Sequence, residues 1–94
     1  MAYSTISHWT ATEWTDEMEA LARDKFVPLV MACGAASVQM VRTGDLTFSV
    51  VTSYSDAASC AAAQAKIADV RAQAKTELPM SMDSVSEGAV FAHG

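Results

Sequence analysis

The fold is decided by the stretch SVQMVRTGDLTFSVVTSYSD, residues Ser37 to Asp56. Two runs of alternating bulky and small side chains, Ala36 to Arg42 and Leu46 to Tyr54, are separated by a short turn that contains Gly44. This pattern is typical of a β-hairpin with one buried face. A turn over residues 43–45 sets the predicted register as Arg42 opposite Leu46, Met40 opposite Phe48 and Val38 opposite Val50.

An alanine-rich helix is predicted after the hairpin, from Asp56 to Leu78. Alanine, the strongest helix former, fills nine of the eighteen positions from Ala57 to Ala74, and Ser55 or Asp56 can cap the start. Pro79 stops the helix, and the alternating segment Met80 to Ser86 is predicted to be a strand. Residues 89–93 are either a bulged continuation of that strand or the return arm of a short hairpin.

Before the hairpin, the sequence predicts one strand and one interrupted helix. Tyr3 to Thr10 is rich in β-branched and aromatic residues, and Glu13 to Cys33 repeats its apolar residues at helical spacing. Pro28 lacks the amide proton that bonds back one turn, so a break is expected around residues 25–27. Gly34 is placed to end the helix.

The element order predicts a single α+β domain over residues 1–94, a ferredoxin-like βαββαβ protomer. Both helices should cover one face of a four-stranded antiparallel sheet, with or without a short fifth strand. The core under the helices is predicted to contain Ile6, Val38, Met40, Phe48, Val50, Met80 and Met82. The opposite face is predicted to present Thr5, Ser7, Trp9, Gln39, Val41, Ser49, Val51, Asp83 and Val85.

Composition excludes several classes of function. Eleven acidic against six basic residues give a net charge of −5, which disfavours nucleic acid as a partner. Cys33 and Cys60 form no CxxC motif and have no neighbouring histidine, so two buried thiols are expected and neither a metal site nor a cofactor. No segment resembles a membrane span or a signal peptide, so a cytoplasmic location is expected. The 51% hydrophobic content in 94 residues is high for so small a domain, which favours an oligomer.

The layout resembles the dimeric α+β barrel superfamily, which includes antibiotic-biosynthesis-type monooxygenases. The stretches that carry the resemblance are the strand ending in His8 and Trp9, the segment KFVPLVMACGA (Lys25 to Ala35), the hairpin and the alanine-rich helix. The resemblance implies that two protomers pack their open sheet faces together as a homodimer. It also implies a cavity between the sheets that can bind an aromatic or other small molecule.

Two functional hypotheses follow. The first is a small-molecule-binding or cofactor-independent monooxygenase-like protein, with Ser7, Trp9, Gln39, Val41, Ser49 and Val51 as ligand-binding residues and His8 and Asp83 as catalytic candidates. The second is a non-catalytic homodimeric interaction module. The absence of asparagine favours the second hypothesis, because the resemblance implies that cofactor-independent oxygenases and haem-degrading members of the superfamily rely on that amide, although Gln39 could supply one.

His8 and Asp83 also have structural interpretations. Strict alternation places His8 on the face of Ile6, towards the helices, where a satisfied, partly buried histidine is the common case. A bulge in the strand would reverse that direction. Asp83 is equally explained as a charge on an edge strand that discourages aggregation.

Overall fold

The computed structural model describes residues 1–94 and contains four strands and two helical segments. The strands are β1 (Tyr3–Ala11), β2 (Ser37–Arg42), β3 (Thr47–Tyr54) and β4 (Met80–Ala89). They form one antiparallel sheet in the order β2-β3-β1-β4. A helical segment follows β1 and a second follows β3, and both pack on the same face of the sheet. The predicted ferredoxin-like α+β fold is therefore confirmed.

The first helical segment is interrupted where the proline predicts it. It consists of α1 (Asp16–Leu21), a π-helical turn (Ala22–Phe26) and α2 (Val27–Ala32). Pro28 lies in the first turn of α2, where its missing amide proton costs little. The hydroxyl of Thr15 caps α1 by accepting a hydrogen bond from the backbone N–H of Met18, and Gly34 follows the segment with φ +108°.

The second helical segment is the continuous helix α3 (Ala57–Glu77). Its cap is Asp56, whose carboxylate accepts a hydrogen bond of 2.7 Å from the backbone N–H of Ser59. Small residues on one side of α3 let the helix lie close to the sheet. Two clusters form the core: Val30, Ala35, Tyr54, Cys60, Ala63 and Ile67 in one, and Ala11, Met18, Phe26, Ala74 and Leu78 in the other.

The hairpin forms with a register that differs by two residues from the prediction. The observed pairs are Arg42 with Phe48, Met40 with Val50 and Val38 with Thr52. Residues 43–46 lie between the two strands, and the Arg42 guanidinium donates hydrogen bonds to the carbonyl oxygens of Gly44 and Asp45. Because side chains alternate with a period of two, this shift leaves every residue on its predicted face.

The predicted facing of β1 is wrong. Thr5, Ser7 and Trp9 are buried towards the helices, whereas Ile6 and His8 point away from them. The reason lies in packing, because the Trp9 ring stacks on Phe48 at a centroid distance of 5.9 Å and reaches the core only in this orientation. Pairing of β1 with β3 is continuous, so no bulge is involved in the outward direction of His8.

The last strand is a single bulged strand, and no fifth strand forms. The register between β1 and β4 shifts between His8 and Trp9, which pair with Ser84 and Met82 and leave Asp83 as the extra residue. Val85 therefore pairs with Ser7 and points to the helix side, so its predicted direction is also wrong. Beyond β4, the backbone N–H of Val90 still bonds to the carbonyl of Ala2.

Candidate functional site

The sheet face opposite the helices has no cover within the chain, and we call it the open face. Strand pairing arranges its centre as two rows across the sheet. The first row contains Val41, Ser49, His8 and Ser84. The second row contains Gln39, Val51, Ile6 and Ser86. Six predicted site residues therefore share this face, and they are His8, Gln39, Val41, Ser49, Val51 and Asp83.

His8 and Ser49 form a hydrogen-bonded pair in the middle of the open face. The Nδ1 atom of His8 lies 2.8 Å from the Oγ of Ser49. Ser49 is only 8% exposed, because the histidine covers it, whereas the His8 ring itself is exposed. Neighbouring strands place this pair beside the apolar side chain of Val41. An imidazole held in one orientation next to an apolar surface can bind a polar group or exchange a proton near neutral pH.

Asp83 presents a carboxylate near the edge of the same face. The bulge at β4 makes it the extra residue beside the row of His8, and its carboxylate accepts a hydrogen bond of 2.5 Å from the hydroxyl of Thr10. Bulges commonly re-aim a side chain in this way. The open face thus carries one imidazole and one carboxylate, both with hydroxyl partners.

Ser7 and Trp9, the other two predicted ligand-binding residues, lie on the opposite side of the sheet. The indole N–H of Trp9 donates a hydrogen bond of 2.8 Å to the Ser7 hydroxyl in the buried interior. Both residues line a cavity of about 50 Å³ between the sheet and the helices, together with Val50, Thr52 and Ile67. A cavity of this volume has room for a few water molecules and is too small for an aromatic ring. The structure therefore separates them from the other six predicted site residues.

A recess of about 420 Å³ lies along the open face where the C-terminal residues pass over it. Its walls include Ile6 and Val51 from the sheet and Phe91 from the C-terminal segment. Phe91 is 95% exposed, which is unusual for an aromatic side chain of a folded chain. This recess could not be predicted from the sequence, because it depends on the path of residues 90–92.

The buried ionisable groups lie on the helix side. Tyr54 is 1% exposed, and its hydroxyl has no hydrogen-bond partner. Burial, followed by the nearby thiols of Cys60 and Cys33, raises the pKa of Tyr54 above its usual range. Burial and the Glu87 carboxylate likewise raise the pKa of Cys60. A thiol held in its neutral form is a poor nucleophile, which agrees with the expectation that Cys60 is a structural residue.

No group of three or more histidine, cysteine, aspartate or glutamate side chains is arranged to hold a metal ion. None of the helices combines the length and the apolar character needed to cross a membrane.

Comparison with solved structures supports the fold. SnoaB, a cofactor-independent oxygenase from Streptomyces nogalater, superposes with a TM-score of 0.73 at 12% identity, covering 98% of this chain and 95% of that one. A dimeric ferredoxin-like protein from an uncultured marine organism gives 0.69 at 14% identity, with 100% and 98% coverage. A protein of unknown function from Nitrosomonas europaea gives 0.64 at 22% identity, with 100% and 94% coverage.

These similarities agree with the protomer fold predicted from the sequence. The chain has the protomer fold seen in antibiotic-biosynthesis-monooxygenase-like proteins and in dimeric ferredoxin-like proteins. The sequence itself matches no protein-family model and no curated protein. Identities this low define the fold, and the activity has to be argued from the residues of the open face.

Proposed function

We propose that the chain forms a two-fold homodimer through its open face and holds a small aromatic or hydrophobic molecule between the two sheets. The observation that carries this proposal is the pair of uncovered rows around His8 and Val51, which mix apolar and hydrogen-bonding side chains. Ligand sites in proteins have this character, with apolar walls and a few polar groups that set orientation.

The exposed apolar side chains support the homodimer. Ile6 and Val41 are 38% and 47% exposed on the open face, and the adjacent Phe91 side chain is almost fully exposed. Covering apolar surface removes it from water, which favours association. A two-fold axis brings the same patch from both copies together, so a single surface covers itself. One of the similar solved structures is described as a dimeric ferredoxin-like protein, which agrees with this arrangement.

Oxygenase chemistry of the kind named for SnoaB is a narrower form of the same proposal. His8 is the group on the open face that can accept a proton from a bound molecule at neutral pH, with Ser49 fixing its ring. Asp83 would supply a negative charge at the rim. Gln39, in the neighbouring row, would supply the amide that the chain lacks as asparagine.

A non-catalytic homodimer is the second candidate, and the size of the side chains favours it. Ser49 fills the middle of the open face, and the hydroxyls of Ser4 and Ser53 bond to each other 2.8 Å apart near one end. Small side chains let two sheets approach closely. At a close separation the space between them would be filled by protein atoms, and no compartment would be left for a ligand.

The probe 2-naphthol tests the proposal, because it is a neutral aromatic molecule that contacts both apolar and polar groups. Its binding is followed by nuclear magnetic resonance through the ring signals of His8, while the Trp9 indole N–H on the other side of the sheet serves as an internal control. Light scattering gives the mass of the assembly. Val51→Trp fills the proposed compartment, and Met31→Trp adds the same ring to the exposed surface of α2.

The proposal predicts a dimer in which 2-naphthol shifts the His8 signals saturably and leaves the Trp9 indole signal unchanged. Val51→Trp should abolish the shift at unchanged mass, whereas Met31→Trp should bind normally. A dimer that gives no saturable shift would support the non-catalytic module and overturn the ligand proposal. A monomer at micromolar concentration would contradict both.

A further inference from the structure

A cleft on the helix side of the sheet combines aromatic and cationic side chains. It lies at the end of the sheet where β2 and β3 join and has a volume of about 220 Å³. We call it the arginine cleft, and its lining residues are Trp14, Glu19, Arg23, Met40, Arg42 and Phe48. Met40 and Phe48 belong to the helix-facing side of the hairpin, so the sheet separates this cleft from the open face.

The aromatic wall of the cleft is anchored in the core. Phe48 stacks on Trp9 at 5.9 Å with an interplanar angle of 11°, and Trp14 meets the Phe48 ring edge-on at 5.7 Å and 70°. Trp9 and Phe48 are 5% and 8% exposed, so their rings are fixed by packing. Trp14 is therefore supported by the buried Phe48 ring, which in turn rests on Trp9, and it presents a preformed aromatic surface.

Arg42 is oriented in this cleft without a carboxylate partner. Its guanidinium carbon lies 4.4 Å from the centre of the Trp14 ring, and its Nε and Nη2 atoms donate to the carbonyls of Gly44 and Asp45. The only two ion pairs of the chain involve Arg23 with Asp24 and Lys25 with Glu77. A guanidinium has five N–H groups, so three of those on Arg42 are left for an acceptor.

The charges in the cleft leave an excess of one positive charge among the lining residues. Arg23 contributes a second guanidinium from the π-helical turn, with its Nε atom bonded to Asp24 at 3.2 Å. Glu19 is the single lining carboxylate, and it already accepts a hydrogen bond of 2.6 Å from the Trp14 indole. Because Arg23 is already paired with Asp24, Arg42 is the lining cation without an ion-pair partner, and a ligand with one negative charge would not have to displace an internal ion pair from it.

We infer that the arginine cleft binds a small planar carboxylate, a single aromatic ring with one carboxyl group. The ring packs on Trp14 and Phe48, and the carboxylate accepts hydrogen bonds from Arg42 and Arg23. A guanidinium matches a carboxylate as a planar fork, which a point charge does not. Pockets for drug-sized ligands have volumes of roughly 300–1,000 Å³, so the smaller volume of this cleft limits the ligand to one ring.

Benzoate and its uncharged analogue benzamide test this inference. The two probes share a ring and differ in charge, so they separate guanidinium recognition from packing on the aromatic wall. Nuclear magnetic resonance follows the indole N–H signal of Trp14 and the Nε–H signal of Arg42. The variants are Arg42→Gln and Arg23→Gln. Lys66→Gln is the matched control, because it removes one positive charge from the exposed surface of α3.

Benzoate should shift both signals saturably, and benzamide should bind at least about tenfold more weakly. Arg42→Gln and Arg23→Gln should each bind benzoate about tenfold more weakly than the native chain, whereas Lys66→Gln should bind it with native affinity. Arg42→Lys retains the charge without the fork and should also bind weakly. Equal binding of the two probes, the absence of a saturable shift, or native affinity in Arg23→Gln would overturn the inference.

Two controls keep the result independent of folding and of the proposed function. Arg42 also donates hydrogen bonds to two carbonyls of the hairpin loop, so its substitution can affect folding. The spectrum and thermal midpoint of each variant are therefore recorded before titration. Arg23 has a side chain 70% exposed and no partner in the core, so Arg23→Gln tests the cleft even if the Arg42 variants unfold. The His8 signals report the open face separately, so failure of either proposal is recognised without the other.

Discussion

The Nδ1 atom of His8 lies 2.8 Å from the Oγ of Ser49 on a sheet face that the chain leaves uncovered. The position of this pair follows from the packing of its neighbour. Trp9 turns inward to stack on Phe48, and strand alternation then forces His8 outward. The core side of β1 thus determines which polar residues reach the candidate site.

Substitution of Val41 by lysine should convert the proposed homodimer into a monomer. Val41 is 47% exposed next to Ser49, and two copies of the lysine would place like charges in the interface. Light scattering should give about one chain mass of 10.0 kDa for Val41→Lys and twice that mass for the native chain. Met31→Lys, a similarly exposed residue on α2, should keep the native mass. A Val41→Lys dimer would argue against the open face as the interface.

Substitution of Ser7 by alanine should destabilise the fold. Its hydroxyl is the acceptor for the buried Trp9 indole N–H, and a buried donor without an acceptor costs about 1–3 kcal/mol. Urea unfolding followed by tryptophan fluorescence measures the loss. Ser81→Ala, on the exposed side of β4, is the matched control and should change the free energy of unfolding little. Equal midpoints for the two variants would show that the hydrogen bond is unimportant.

Substitution of Tyr54 by phenylalanine should leave stability unchanged or raise it by up to ~1 kcal/mol. The hydroxyl is buried without a partner, so its removal takes away a desolvation cost and keeps the ring in the core. Chemical unfolding at neutral pH gives the difference. Tyr3→Phe, at the partly buried start of β1, controls for the general effect of removing a phenol. A marked loss of stability in Tyr54→Phe alone would reveal a partner for this hydroxyl.

The same residue should make stability fall in alkaline solution. Burial raises the pKa of Tyr54 in the folded chain above the ordinary value of 10.0. The unfolded chain therefore loses this proton first, and the stability contributed by the neutral phenol is complete below about pH 10 and declines as the pH rises through the raised pKa. Tyr54→Phe should show a shallower alkaline decline in thermal midpoint than the native chain, and parallel curves would contradict the assignment.

The cap at Asp56 should contribute an acid-sensitive part of the stability. The hydrogen bond from Ser59 lowers the pKa of Asp56 below its ordinary value of 3.8. This contribution is present above that value and is lost as the pH falls through the lowered pKa. Asp56→Ala should lower the thermal midpoint by a few degrees near neutral pH, and the difference should shrink in acid. Asp69→Ala, on the exposed side of α3, should show no such pH-dependent difference.

Elements set by local chemistry could be predicted from the sequence. The alanine content predicted α3 and Asp56 predicted its cap. Pro28 predicted the interruption of the first helical segment before α2. Strand alternation also gave the correct faces of β2 and β3, since the two-residue error in register does not change them. The choice between these two registers depends on contacts such as that of Arg42 with Asp45, which composition does not specify.

Features that depend on distant contacts were missed. Ile6 was predicted to lie in the core, but the Trp9 ring packs on that side of the sheet and Ile6 is exposed on the other. The bulge at Asp83 has no glycine to mark it, and it turned Val85 to the helix side. The contact between Arg42 and Trp14 joins a strand end to a loop far away in the chain. The arginine cleft is therefore lined by residues that no sequence pattern predicts to lie together.

The near absence of charge on the open face has a consequence for how ionic strength should affect assembly. Asp83 is the one acidic residue there, although each chain carries a net charge of −5. In the proposed homodimer, the two copies would repel each other at long range through charges on their helices and loops, and no lysine or arginine lies on the open face to offset this. At an ionic strength of 0.1 M, repulsion between charges more than about 10 Å apart is largely screened. Added salt should strengthen the association, whereas an interface held by ion pairs would weaken.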